Sequence, residues 1–261
     1  MSTKAKSSDG SEGSSVEIEA GPRWSIWIDI EGFSTLWGKG NLAMAGLSTL
    51  MSGIFAIGTK VYVDDGDRLF AHQFGDGFVI VGDFYEAALD RCAAIAVALM
   101  RHVTTSGCIA RAAIAEGDFA DYSGCWPMEI RKEIANLQSD DVARLGSGIM
   151  TLLPVMGTAL INANKLDSRN RTKGGILTIA TCDSARVASS FPRRVSRDDD
   201  SMTMIDWVHA SSPYIDEITA KGEIAGMTTA SLEMAISDYI SGPNAPPATW
   251  IAGTSEYASL P

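Results

Sequence analysis

Cysteine and histidine are scarce in this chain of 261 residues, with four of the first and three of the second. Cys92, Cys108, Cys125 and Cys182 have no pairwise spacing that suits a zinc knuckle or a redox pair. Cys92 reads instead as a small hydrophobe packed in a helix. The lack of histidine clusters argues against phosphodiesterases and phosphatases that build their metal centres from them. Basic charge is also short: 21 Lys and Arg stand against 32 Asp and Glu, a net charge of -11. Such a surface repels a polyanion, so long DNA or RNA is not an expected partner. No uninterrupted apolar run of membrane-spanning length is read; the candidate helix near 84–103 is broken by Glu86, Asp90, Arg91 and Arg101. The opening Met-Ser-Thr-Lys-Ala-Lys carries no apolar leader core. The expectation is a cytoplasmic protein without membrane segments or disulfides.

What is present is 46% hydrophobic residues, enough for one sizeable core. Residues 1–20 are rich in Ser, Gly, Lys and Glu and read as a mobile tail. Regular patterning starts at Trp24, where Trp24, Ile26, Ile28 and Ile30 share one face of a strand and Ser25, Trp27 and Asp29 share the other. A helical period follows through Leu42, Ala43, Gly46, Leu47, Leu50, Met51 and Ile54. Short strands are predicted at about 60–64 and 69–74, joined at Asp65-Gly66, and a third at Phe78 to Val81. An alanine-rich helix spans 85–103 and another strand Ile109 to Ala115. Within 119–156, Pro127 opens a helix to Asn136. A helix resumes from Thr158 to Leu166, and Ile176 to Ala180 reads as a strand after Lys173-Gly-Gly175. Arg193 to Asp200 reads as a solvated loop and 231–240 as a short helix. Strands alternating with helices predict an α/β fold, one sheet covered by helices.

Two aspartates stand at the edges of compact apolar strand signals. Asp29 lies in Trp24-Ser-Ile-Trp-Ile-Asp-Ile-Glu-Gly-Phe-Ser34, and Asp76 lies in Phe74-Gly-Asp-Gly-Phe78. Taken singly, either is a turn or helix-cap residue. Together they suggest carboxylates gathered on divalent metal, since a charge in such surroundings is costly unless a cation meets it. Mg²⁺ takes one or two carboxylates and leaves its other positions to water and phosphate. The Ile30 carbonyl offers a further oxygen, and two such ions about 3.5–4 Å apart serve phosphoryl chemistry. Gly32 lets the chain turn closely around an anion, with the amides of Gly32, Phe33 and Ser34 facing phosphate. Glu31 reads as a capping or surface carboxylate. Arg111 interrupts the strand from Ile109 and either reaches a phosphate at the sheet edge or makes a surface ion pair. Asn162 and Lys165 lie about one helical turn apart, facing one volume or plain solvent. His72 alternates with Phe70 and Phe74 as a packed histidine.

These segments resemble the catalytic domain of the class III nucleotidyl cyclases. Ile28-Asp-Ile-Glu-Gly-Phe-Ser34 is similar to that family's first metal motif and Phe74-Gly-Asp-Gly-Phe78 to its second. Arg111-Ala-Ala-Ile-Ala-Glu-Gly117 resembles its phosphate-arginine strand, and Gly157 to Leu166 the helix that bears its transition-state residues. The resemblance runs in family order through residues 24–180. It implies a ferredoxin-like βαββαβ core with a mostly antiparallel sheet, built from a catalytic core over 21–183 and a C-terminal extension over 184–261. It also implies two ions, Mn²⁺ or Mg²⁺, held by Asp29, Asp76 and the Ile30 carbonyl. Arg111 would hold phosphate, and Lys165 falls where the family has its transition-state arginine. The family's asparagine falls on Ile161, with Asn162 one place later.

The base-reading positions depart from the adenylyl cyclases: His72 stands in place of a lysine and Pro154 in place of an aspartate. With the long 119–156 connection, this resembles the bacterial pyrimidine cyclases of anti-phage signalling. The implied substrate is UTP, or else CTP, and the implied product a cyclic nucleotide acting on a separate effector. The resemblance also implies a head-to-tail homodimer whose sites take the aspartates from one chain and Lys165, with Asn162, from the other. Two rival readings remain: a purine cyclase with unusual base contacts, and a degenerate cyclase-like module that binds nucleotide or protein without turnover.

Overall fold

The computed structural model describes residues 22–39, 41–64, 68–82, 86–139, 141–169, 172–243 and 245–258. The tail over 1–20 and the Asp65-Gly66 turn lie outside these. Strand β1 (Arg23–Ile30) leads through the short helix α1 (Phe33–Trp37) to α2 (Leu42–Lys60). The hairpin β2 (Leu69–Phe74) and β3 (Gly77–Gly82) precedes α3 (Asp90–Thr104) and β4 (Ala110–Gly117). These elements give the order β4-β1-β3-β2 with every neighbouring pair antiparallel. That is the split βαββαβ, ferredoxin-like arrangement.

The 119–156 connection carries structure of its own: β5 (Ala120–Asp121), α4 (Met128–Leu137), the hairpin β6 (Val142–Leu145) and β7 (Gly148–Thr151), then β8 (Val155–Met156). Helix α5 (Thr158–Arg169) crosses back and β9 (Leu177–Ala180) joins β4 in parallel. Beyond it, β10 (Arg193–Val195) and β11 (Met202–Ile205) complete a seven-stranded mixed, mostly antiparallel sheet in the order β10-β11-β9-β4-β1-β3-β2. Helices α6 (Pro213–Gly222), α7 (Thr229–Ser241) and α8 (Ala248–Tyr257) follow. The expected α/β class, one sheet covered by helices, is what the chain forms.

Both faces of the sheet are covered, so alternation along β1 separates two cores rather than core from solvent. Trp24, Ile26, Ile28 and Ile30 pack against α2 and the fully buried middle of α3. On the other face, α5 seats Ala159 and Leu160 against Val79, Val81, Phe119 and Val155. Ser25, buried on that face, donates its hydroxyl to the Ala159 carbonyl at 2.7 Å. Asp29 shares this second face, beyond the edge of its apolar cluster.

Three expectations are corrected. The segment at 60–64 is no strand but the last residue of α2 and the turn that closes it: Val61 and Tyr62 both donate their amides to the Ile57 carbonyl, and Tyr62 is buried in the main core beside Arg91. Tertiary packing overrides the strand preference of Val-Tyr-Val here. Arg193–Val195 is not a loop but a three-residue edge strand with exposed side chains, a charged edge of the kind that resists further pairing. Leu42–Lys60 is, in length and composition alone, a helix able to cross a membrane. One face of it, through Ala43, Leu47, Leu50 and Ile57, is buried within this fold.

Candidate functional site

Asp29 sits near the end of the central strand, with Gly77 of β3 as its partner on one side and Arg111 of β4 on the other. Gly77 follows Asp76 directly, so the tight connection of β2 to β3 brings the second aspartate to the same end of the sheet. A side chain at 77 would press on the Asp29 Cβ at 3.1 Å; its absence leaves room above the strand. Asp29 and Asp76 line one cleft of about 400 Å³, with Ile30, Gly32, Phe33, Ser34 and Arg111. The sequence-predicted metal and phosphate residues are thus brought together within one chain.

The cleft is rich in negative charge. Burial, followed by the neighbouring Asp167 carboxylate, raises Asp29 from its ordinary 3.8 to about 7, against a hydrogen bond from Trp27 Nε1 at 3.2 Å. Glu31 is not a surface group: it is buried, accepts the Gly174 amide at 3.1 Å, and is itself raised, mainly by burial. Gly32 adopts a left-handed conformation with φ of 69°, turning the chain into α1, and its carbonyl accepts the amides of Thr35 and Leu36. Arg111 is buried, its Nε paired with Asp167 Oδ1. Its two terminal nitrogens donate to the carbonyls of Thr172 and Asp167, each at 2.9 Å. The guanidinium therefore ties the end of α5 and the turn after it to β4, although it borders the cleft.

Asn162 and Lys165 lie elsewhere on their own chain. The Asn162 amide donates to the Glu116 carbonyl at 2.7 Å, and Lys165 is exposed on α5. Lys165, Asn164 and Ile161 border a second, mostly apolar cavity of about 430 Å³ with Trp27, Phe74, Val79 and Leu160. Trp27 joins the two spaces, since its ring lines the cavity and its Nε1 meets Asp29. Phe74 stacks beside it with ring centres 6.1 Å apart. His72 lines neither space; it is half-buried on β2, and burial lowers its pKa.

Among the described residues, no group of three or more His, Cys, Asp or Glu side chains is arranged to hold a metal ion. The donor set still fits one that arrives with phosphate, because Mg²⁺ needs one or two carboxylates when substrate supplies other oxygens. The charge balance points the same way: among the described residues, Asp29, Glu31, Asp76 and Asp167 border the cleft against Arg111 and Lys173.

Four cleft residues escaped the sequence reading. Asp167 and Ser168 are the first two residues beyond Leu166, in the last turn of α5, which runs on to Arg169. Lys173 belongs to a segment read only as a turn. Trp250 comes from α8, for which the Pro/Gly-rich stretch before it gave no signal.

No family model matches the chain, and no curated protein does. Several solved structures are similar in chain path. A bacterial light-regulated adenylyl cyclase has a TM-score of 0.44 at 12% identity, over 80% of this chain and 59% of its own. The guanylyl cyclase domain of a fusion protein from the aquatic fungus Blastocladiella emersonii has 0.42 at 12%, over 71% and 93%. A class III adenylyl cyclase-like ATP-binding protein from Pseudomonas aeruginosa has 0.40 at 11%, over 77% and 40%. At these values the likeness carries no functional argument; the site rests on its own geometry.

Proposed function

We propose that the chain is a metal-dependent nucleotidyl cyclase. The ribose 3′ oxygen attacks the α-phosphorus; that O–P bond forms, the bond to the β-phosphate breaks, the 3′ proton passes to water and pyrophosphate leaves. The observation that carries the reading is the convergence of Asp29 and Asp76 in one cleft beside the Gly32–Ser34 turn. Asp29, Asp76 and the Ile30 carbonyl would hold two ions, Mg²⁺ or Mn²⁺. Bound there, the ions supply charge stabilisation at the phosphates and ease formation of the attacking oxygen. The left-handed Gly32 brings the backbone of Phe33 and Ser34 toward the phosphates. The aromatic cavity across Trp27 has the flat, apolar walls that suit a nucleobase.

Lys165, with Asn162 or its neighbour Asn164, reaches a reacting phosphate only across a homodimer, because neither Lys165 nor either asparagine lines the acidic cleft of its own chain. On the resemblance, the base is a pyrimidine, UTP ahead of CTP: His72 and Pro154 stand where the adenylyl cyclases have a lysine and an aspartate, although neither lines the aromatic cavity of this chain. The product acts on a separate effector in the cytoplasm, as a messenger in antiviral defence.

The test is incubation of the full chain with ATP, GTP, CTP and UTP separately, with Mn²⁺ or Mg²⁺, and identification of the product. Cyclic UMP or cyclic CMP supports the full reading. Cyclic AMP or cyclic GMP keeps the cyclase and overturns the base. Bound nucleotide with no product makes the domain a binding module and overturns catalysis.

A further inference from the structure

Among the described residues the cleft has two cations on its walls, and Arg111 is committed to Asp167 and two backbone carbonyls. Lys173 is different. Its side chain is exposed and makes no hydrogen bond or ion pair with another described residue, yet it borders the same space as Asp29 and Asp76. Its charge is near enough to Glu31 to favour the ionised carboxylate there.

The backbone beneath Lys173 is held on both sides. Glu31 accepts the Gly174 amide at 3.1 Å, and Thr254 Oγ1 accepts the Gly175 amide at 2.9 Å. Helix α8 packs so closely that a side chain at Gly253 would stand 1.8 Å from the Lys173 carbonyl. Thr254 is fully buried and donates its own hydroxyl proton to the Trp250 carbonyl at 2.9 Å. A turn clamped by two buried side chains and a helix therefore projects an unpaired ammonium at the mouth of an acidic cleft. Fixing the backbone while leaving the charged head unengaged places the ammonium within reach of an anion in the cleft rather than on an internal partner.

We propose that Lys173 is the side-chain cation that binds the substrate's phosphates, and that Arg111 is a positioning residue that holds α5 and the Thr172 turn in place. The proposal rests on the nucleotidyl cyclase reading for the identity of the substrate. Its chemistry requires only a polyphosphate, so it can be tested apart from turnover.

The experiment uses the full chain with Mn²⁺ and two probes. Inorganic tripolyphosphate binding is measured by calorimetry, and kcat and KM are measured with whichever nucleoside triphosphate is turned over. Loss of one charge-assisted contact to phosphate is expected to weaken tripolyphosphate binding and raise KM about ten- to a hundredfold in Lys173→Gln. The change in kcat is expected to be smaller than the change in KM, because the contact is made in ground and transition states alike. Lys173→Arg is expected to recover most of the loss, which a purely structural role would not require. The exposed position keeps Lys173→Gln folded, and its melting temperature checks this.

Tripolyphosphate binding and KM unchanged in Lys173→Gln would overturn the assignment while leaving cyclase activity intact. Lys173-dependent tripolyphosphate binding without any cyclic product would support the assignment and overturn the cyclase reading. No tripolyphosphate binding by the unaltered protein would overturn both.

Discussion

Replacing Asp29 with asparagine is expected to make the protein more stable while abolishing turnover. The folded protein holds a proton on Asp29 up to about pH 7, whereas the unfolded chain releases it near 3.8. Between those values the folded state binds more protons, so stability falls as pH rises through the window and stays low above it; below it the effect vanishes. The gap, at about 1.36 kcal/mol per decade of proton affinity, places the cost of ionising Asp29 in the fold at about 4 kcal/mol. The cleft side of Asp29 is open to water, so about 2–4 kcal/mol is the range to expect. The Asp29→Asn substitution removes the charge, yet the new amide oxygen can still accept the Trp27 Nε1 proton. Urea denaturation should show Asp29→Asn ahead of the unaltered protein by this amount at pH 8, with the lead falling to under about 2 kcal/mol at pH 5. Millimolar Mn²⁺ should narrow the lead at pH 8 by stabilising the unaltered protein alone. An Asp29→Asn protein no more stable at pH 8, or a lead that does not shrink on acidification, would refute the electrostatic account of the cleft.

Asp76 lies half-buried in the turn after β2, so Asp76→Asn should remove metal-dependent turnover while changing stability by less than about 0.5 kcal/mol in the same denaturation assay. Asp167→Asn should behave oppositely to Asp29→Asn. It leaves the buried Arg111 guanidinium without its counter-charge, and thermal unfolding should report a loss of about 3–5 kcal/mol. Thr254→Val removes the buried acceptor of the Gly175 amide at nearly constant shape. A loss of about 1–3 kcal/mol and a raised KM are expected, with Thr254→Ser recovering both.

The core of the fold was legible because its signals are local. The period-two face of Trp24 to Ile30, the alanine-rich run that became α3, and glycine beside aspartate at 75–77 each state their element within a few residues. The two aspartates were legible as a pair for the same reason: a carboxylate inside an apolar run conflicts with its surroundings unless something outside the sequence pattern meets it. The engagement of Arg111 was not legible, because its partner Asp167 is 56 residues away and nothing in either segment names the other. Val61-Tyr-Val63 misled because its composition suits a strand while only Tyr62 is buried, anchoring a turn, and Val63 is exposed. Arg193–Val195 misled in the opposite direction, since a charged edge strand has the composition of a loop.

The C-terminal helix raises a sharper question, because the resemblance ended the catalytic core near residue 183 and yet Trp250 borders the cleft. A side chain added at Gly32 would stand 2.5 Å from Trp250 Cζ3, so the indole ring lies directly against the turn that carries the proposed phosphate amides. If that contact fixes the turn, the two positions are energetically coupled. Gly32→Ala alone meets both the left-handed backbone, costing about 1–2 kcal/mol, and the ring. In a Trp250→Ala background the ring is gone and only the backbone cost remains. A double-mutant cycle on stability should therefore give a coupling of about 0.5–3 kcal/mol, the double variant being less damaged than the sum. Trp250→Ala should also raise KM by loosening the turn, and Trp250→Phe, which keeps an aromatic ring there, should restore most of the affinity. Additive stabilities, with an unchanged KM in Trp250→Ala, would show that α8 packs beside the turn without shaping it.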